Sequence, residues 1–298
     1  MRRSATAIII VLFAMVGSVA MGVRNGPEQA KDKRPEPAKE ATASSVISQA
    51  ATRNVDKISA VKMDPQRKGN GLSSIERAAR AGKYLFVFLY KEDDEQTRKM
   101  REVFEKVTKK ARSRATSAVV NITEPAEKGI VEKFKLERAP TPLVLVLAPN
   151  GAVTGGFPTE FSEEKLMEAF VSPCSEKCLK ALQDGKLVLL CVRTASSESN
   201  RVAMQGVRDF KADSRFSQST EIVELDPTNS TEKRFLTQLQ VDAKSDEPIT
   251  VFLAPPGAVI GKFPGRTDKA MLETALRKAS SASSGCCPSG SNRSCAPK

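Results

Sequence analysis

Two stretches of the chain are apolar at nearly every position, YLFVFLY at 84–90 and LVLLCV at 187–192. A strand of that kind has no polar face to turn towards water, so it belongs inside a sheet covered by helices on both sides. The pattern around each run is the same. Residues 72–81 and 174–183 read as a short helix before it, and 94–112 and 198–213 as a longer helix after it. A second strand follows at 117–122 and 221–225, then a third helix at 127–136 and 231–241. Each unit closes with a hairpin (143–148 with 152–157; 249–254 with 258–263) and a final helix. The turns Pro149-Asn150-Gly151 and Pro255-Pro256-Gly257 place glycine where a hairpin needs positive φ.

The two units are copies. PLVLVLAPNGAVTGGFPT (142–159) and PITVFLAPPGAVIGKFPG (248–265) are identical at ten of eighteen positions, at an offset of 106. Gly82-Lys83 aligns with Gly185-Lys186 at an offset of 103, and Glu127-Lys128 with Glu232-Lys233 at 105. An offset that grows in small steps while apolar positions keep register is what loop insertions in a duplicated unit produce.

The flanks are different. Met1-Arg2-Arg3 followed by the uncharged stretch 6–23, with Ser18-Val19-Ala20 at its end, predicts a secretory signal over 1–20, or an uncleaved membrane anchor to about 23. Either places the rest of the chain outside the cytoplasm, in a periplasm or an extracellular space. Residues 21–71 are rich in Lys, Glu, Ala, Pro and Ser without apolar periodicity, and are expected to be a disordered linker.

Composition narrows the chemistry. The 298 residues suffice for two domains. There is no histidine, which removes His-activated nucleophiles, His acid–base catalysis and His metal ligands. No cofactor is implied. The net charge is +12, or +10 after loss of Arg2 and Arg3 (12 − 2). That favours an acidic protein or peptide partner or an anionic surface; no motif for specific nucleic-acid recognition accompanies it. Arg98, Lys99, Arg101, Lys106, Lys109, Lys110, Arg112 and Arg114 crowd one predicted helix and its end, and read first as a solvated face.

The element order, with a proline opening the hairpin's first strand nine residues before its glycine (Pro142 to Gly151; Pro248 to Gly257), resembles the thioredoxin superfamily. The resemblance implies an α/β fold of two tandem thioredoxin-like domains, at 72–171 and 172–279. Each would be a mixed sheet, β-α-β-α-β-β-α, with helices on both faces. It further implies that Pro142 and Pro248 are cis, and that Thr141 and Glu247 lie on an edge that pairs with an extended peptide. The departure concerns sulfur. The family's Cys-x-x-Cys opens the helix after the first strand, where that stretch here reads KEDDEQTRKM (91–100) and RTASSESN (193–200). Asp94 and Thr97 fall on the cysteine positions of the first copy, and neither stretch contains a thiol able to exchange disulfides. The acids suit a helix N-terminus, with Thr97, Ser196 or Ser197 as caps.

Six cysteines remain, enough for 15 pairings. Cys174 and Cys178 lie on a predicted helix opened by Ser172-Pro173, where a first-turn thiolate at Cys174 would be favoured; Cys178 aligns with apolar Ile75 and reads as core, as does Cys191. Cys286, Cys287 and Cys295 lie on a Ser/Gly-rich tail, 280–298, expected to be flexible. The leading expectation is an exported, non-catalytic pair of thioredoxin-like domains that binds protein or peptide or acts as a scaffold. The alternatives are a thiol–disulfide oxidoreductase using Cys174/Cys178 or the tail, and a soft-metal protein using Cys286, Cys287 and Cys295.

Overall fold

The computed structural model describes residues 69–283; the stretch 1–20 read as a signal, nearly all of 21–71 and the tail cysteines Cys286, Cys287 and Cys295 lie outside the described residues. The first half comprises α1 (Asn70–Arg80), β1 (Tyr84–Tyr90), α2 (Glu95–Lys110), β2 (Ala115–Asn121), a 3-10 turn (Pro125–Glu127), α3 (Lys128–Phe134), β3 (Leu143–Leu147), β4 (Val153–Pro158) and α4 (Glu163–Met167). The second comprises α5 (Pro173–Gln183), β5 (Leu187–Val192), α6 (Ser197–Ala212), β6 (Thr220–Leu225), a 3-10 turn (Ser230–Glu232), α7 (Lys233–Gln238), β7 (Ile249–Ala254), β8 (Ala258–Pro264) and α8 (Lys269–Ser283).

Each half builds its own four-stranded mixed sheet, in the orders β2-β1-β3-β4 and β6-β5-β7-β8. The first two strands of each copy pair in parallel (Tyr84 with Ala115; Leu187 with Thr220), and the hairpin adds two antiparallel strands beside them. This is the mixed α/β architecture of two tandem four-stranded sheets that the sequence implies. Both sheets belong to one compact unit.

The unbroken apolar runs are explained by where alternate side chains go. On β1, Tyr84, Phe86 and Phe88 join Phe104, Val107 and Leu166 on the α2–α4 side. Leu85, Val87 and Leu89 join Ala78, Ile130 and Leu136 on the α1–α3 side. Strand β5 repeats this, with Val188 and Leu190 on the α5–α7 side and Leu189 and Cys191 against Val207, Phe210 and Leu272. Among the described residues no helix is long and apolar enough to cross a membrane.

Several element ends differ from expectation. Helix α1 starts at Asn70, inside the stretch read as linker. The buried Glu127 carboxylate accepts from the Asn70 and Gly71 amides at 2.7 and 3.0 Å, an interaction that composition alone does not reveal. The first copy's final helix is short because Ser172, extended before Pro173, begins α5 soon after it. Helix α8 continues to Ser283, into the segment read as tail; the Ser281 hydroxyl bonds back to the Lys278 carbonyl. The turn glycines behave as read, with φ of 81° at Gly151 and 143° at Gly257.

One close approach gives a stability test. A Cβ placed on Gly206 of α6 would sit 2.0 Å from the Thr267 carbonyl oxygen, against rigid backbone. Gly206→Ala is expected to lower the urea midpoint by the equivalent of about 2 kcal/mol through overpacking, although alanine favours helix. An unchanged or raised midpoint in equilibrium unfolding would contradict the packing of α6 against residues 267–268.

Candidate functional site

In the first copy three segments converge beyond the end of β1. Helix α2 begins at Asp94, whose carboxylate accepts the Thr97 amide at 2.7 Å. Asp94 is therefore the cap, whereas Thr97, expected as a candidate cap, is buried and supplies the amide. Those hydrogen bonds hold the Asp94 carboxyl below its usual range. Gln96, in the same turn, donates to the Thr159 carbonyl at 3.4 Å, and the Thr159 amide donates to the Pro142 carbonyl at 2.7 Å. Thus the start of α2, the entry to β3 and the exit from β4 form one patch, with Thr141 and Pro142 at its centre.

The Thr141–Pro142 peptide is cis, as the resemblance implied. Pro142 is buried and Thr141 half-buried. Among the described residues the Thr141 backbone N–H and carbonyl make no hydrogen bond, which leaves a donor and an acceptor side by side.

The second copy is built differently. The Glu247–Pro248 bond is trans, which corrects the expectation of a cis Pro248; the second cis bond lies in the hairpin turn, at Pro255–Pro256. The Glu247 amide donates to the Ser245 hydroxyl oxygen at 3.2 Å, and that hydroxyl donates to the Glu247 carbonyl at 2.9 Å. One serine thus occupies both groups that stand open at Thr141. Helix α6 opens with Ser196 as its cap, accepting the Ser199 amide at 3.2 Å.

The described cysteines stand elsewhere. Cys174, Cys178 and Cys191 are free thiols. Ser172 caps α5 and Pro173 takes its first position, as the sequence suggests. The thiolate expected at Cys174 is nonetheless disfavoured, first by burial and then by the neighbouring carboxylate. Burial, then the Glu232 charge, push the Cys174 thiol up to about 12. Cys178 is fully buried and burial raises its pKa strongly; Cys191 is pushed up to about 12 by the same cause.

Glu232 is the counterpart of Glu127, and the comparison is instructive. Both are buried, at 1% and 4% exposure, at the start of the helix after the second strand. Glu127 caps two amides of α1, while Glu232 accepts only the Cys174 amide, at 3.0 Å. Position 173 corresponds to Asn70, and proline has no N–H to offer. Glu232 Oε2 consequently has no hydrogen-bond partner. Among the described residues no group of three His, Cys, Asp or Glu could hold a metal ion.

No model of a known protein family matches this chain, and no curated protein matches its sequence. Solved structures are similar over about a third of the chain. The germline-specific thioredoxin Deadhead of Drosophila melanogaster is 18% identical, with 34% of this chain matched to 90% of that one at a TM-score of 0.28. Thioredoxin O1 of Arabidopsis thaliana, in its oxidised state, is 16% identical, with 34% matched to 87% at 0.28. A malarial protein is 13% identical, with 29% matched to 92% at 0.26.

The cysteine environment makes a pH prediction. A thiol of raised pKa is protonated at neutral pH, and its thiolate grows only as pH rises towards 12. Alkylation of Cys174 by iodoacetamide at pH 8 should be roughly a hundredfold or more slower than that of free cysteine, and still be climbing at pH 10. Glu232→Gln removes a negative charge and should accelerate it. A plateau below pH 8, followed by peptide mass spectrometry, would restore Cys174 as a nucleophile.

Proposed function

We propose that the chain is an exported, non-catalytic thioredoxin-like protein that binds extended segments of other proteins along the Thr141–Pro142 edge of its first sheet. The observation that carries this reading is the unpaired Thr141 backbone beside a cis proline, where the facing helix start carries exposed Asp94 and buried Thr97 and no sulfur. An extended peptide could satisfy both Thr141 groups with its own main chain, the economy of strand addition. The equivalent edge at Glu247–Pro248 is closed by Ser245, so binding is assigned to the first copy. Disulfide exchange at either helix start would need a thiol that the sequence does not supply there. The raised thiol pKa values of Cys174 and Cys178 speak against their use as a redox pair.

Export rests on residues 1–23, outside the described residues. On this reading the mature protein begins at Met21, which N-terminal sequencing of material recovered from outside the cytoplasm would check; an intact Met1 there would favour the anchor instead.

Reduced, carboxymethylated α-lactalbumin, an unfolded chain without free thiols, is a suitable first probe. It should bind saturably, shift the Thr141 and Gln96 backbone amide resonances, and leave that of Glu247 in place. Pro142→Ala should weaken binding about tenfold, the equivalent of one or two main-chain hydrogen bonds. Undiminished binding to Pro142→Ala, with shifts confined to other surfaces, would refute the site. Catalytic turnover of insulin disulfides without an added thiol catalyst would refute the non-catalytic reading.

A further inference from the structure

A cavity of about 490 Å³ lies between the two halves, within the range of small-molecule sites. Its origin can be traced residue by residue. In the first copy the α1–α3 side of the sheet is filled by Leu72 and Ile75, which pack against Ile130 and its neighbours. Leu72 lies so close over Gly129 that a Cβ there would meet its Cδ1 at 2.6 Å. In the second copy Leu72 is replaced by Ser175, Ile75 by Cys178 and Gly129 by Arg234. Two branched side chains have shrunk, and the residue that had to be glycine has become a long cation.

All three replacements line the cavity. Its walls are otherwise largely apolar, with Leu182, Phe235 and Leu239 from the second half and Tyr84 and Phe170 from the first. Two guanidinium groups border it. Arg114 lies over the Phe170 ring at 4.3 Å, and Arg234 donates to the Glu168 carbonyl at 3.4 Å. Both residues are exposed, and neither forms an ion pair among the described residues. Of the acids on the wall, Glu176 already accepts the Tyr84 hydroxyl, and Glu168 is exposed.

We propose that this cavity is a binding site for an amphipathic anion, an acyl-chain carboxylate. Its hydrocarbon occupies the space that Leu72 and Ile75 fill in the first copy, and its carboxylate meets Arg234 and Arg114 at the rim. An apolar cavity of this size gains little from water, whereas an acyl chain removes apolar surface from solvent on both sides. A guanidinium without a carboxylate partner supplies the charge-assisted, two-pronged recognition that such a headgroup takes.

Calorimetric titration of the full mature chain with dodecanoate, kept below its micellar concentration, tests the site. Saturable one-to-one binding is expected, with dodecanol at least tenfold weaker and Arg234→Gln weakening dodecanoate about tenfold, one charge-assisted hydrogen bond. Ser175→Leu with Cys178→Ile restores the first copy's filling and should abolish binding while the far-ultraviolet circular dichroism stays native. Should that double variant not fold, Arg234→Gln and the alcohol comparison decide. Absence of saturable binding, equal affinity for the alcohol, or an unaltered affinity in the folded double variant would each overturn the proposal. None of these outcomes touches the Thr141 edge, which is read separately with the unfolded-protein probe.

Discussion

A strand that is apolar on both faces has to be roofed on both faces, and the rest of this molecule follows from that constraint. Strands β1 and β5 send successive side chains to opposite sides of their sheets, so each copy needs two helical layers and two separate cores. In the first copy the requirement is met mostly by its own helices, with Leu179 of α5 packed against the same cluster. Its α2–α4 side is dense in aromatic rings, with Phe88 5.3 Å from Phe104 and 6.5 Å from Phe161 between centroids. In the second copy the α5–α7 side is built from smaller side chains, and Tyr84 and Phe170 of the first copy stand along the space that remains. The duplication therefore does more than double a domain, since the second roof is completed partly by the first.

The seam between the copies shows how an exposed sheet edge is made safe. Strand β4 lies at the edge of its sheet, and an unpaired edge invites pairing with another chain. The Gln183 side-chain amide, at the end of α5, accepts from the Val153 amide at 2.9 Å and donates to the Val153 carbonyl at 2.7 Å. It imitates one residue of a neighbouring strand. Asn150 in the β3–β4 turn reaches the Glu176 carbonyl at 2.9 Å, and the Tyr84 hydroxyl donates to the Glu176 carboxylate. The charges read from the sequence as a solvated helix face are likewise partly engaged. Arg101 pairs with Asp93 at 3.1 Å and lies over the Tyr90 ring at 4.8 Å, and Lys106 and Lys110 both face Glu163. A charge count cannot distinguish such fixed cations from free ones, because the distinction depends on partners distant in sequence.

What was legible in the sequence was whatever local chemistry or periodicity dictates. The bounds of β1 and β5 and the two hairpins follow from apolar runs closed by Gly and Pro, and the start of α5 from Ser172-Pro173. Interactions between distant segments were not legible. The start of α1 depends on Glu127, 57 residues downstream of Asn70, and the carboxylate that adds to burial in disfavouring the Cys174 thiolate is Glu232, 58 residues downstream. The resemblance at Pro142 and Pro248 carried over as backbone geometry only for the first. Both bear the same Pro-opened strand, yet Ser245 satisfies the Glu247 backbone and no counterpart does so at Thr141. The repeat did contain a usable signal. Pro173 aligned with Asn70 already implies that one acceptor of the second carboxylate loses its donor.

That loss matters for how the two copies have diverged. A buried carboxylate with both oxygens engaged is a stable cap, whereas one with an orphaned oxygen carries the desolvation of that atom without return. Glu232 is such a group, and it raises the pKa of Cys174 beside it while standing near the α5 segment whose Ser175 and Cys178 have opened the cavity. Each of these features contrasts with a tighter arrangement in the first copy: Asn70, Leu72, Ile75 and Gly129 against Pro173, Ser175, Cys178 and Arg234. The four differences cluster around one helix start and its facing helix: Ser175 and Cys178 are smaller than their counterparts, Arg234 adds a charge at the rim, and Pro173 lacks an amide donor. The first copy has a filled core and an unpaired backbone edge, while the second has that edge closed by Ser245 and a cavity at its core. Two duplicated sheets have in this way come to present different surfaces from the same strand order.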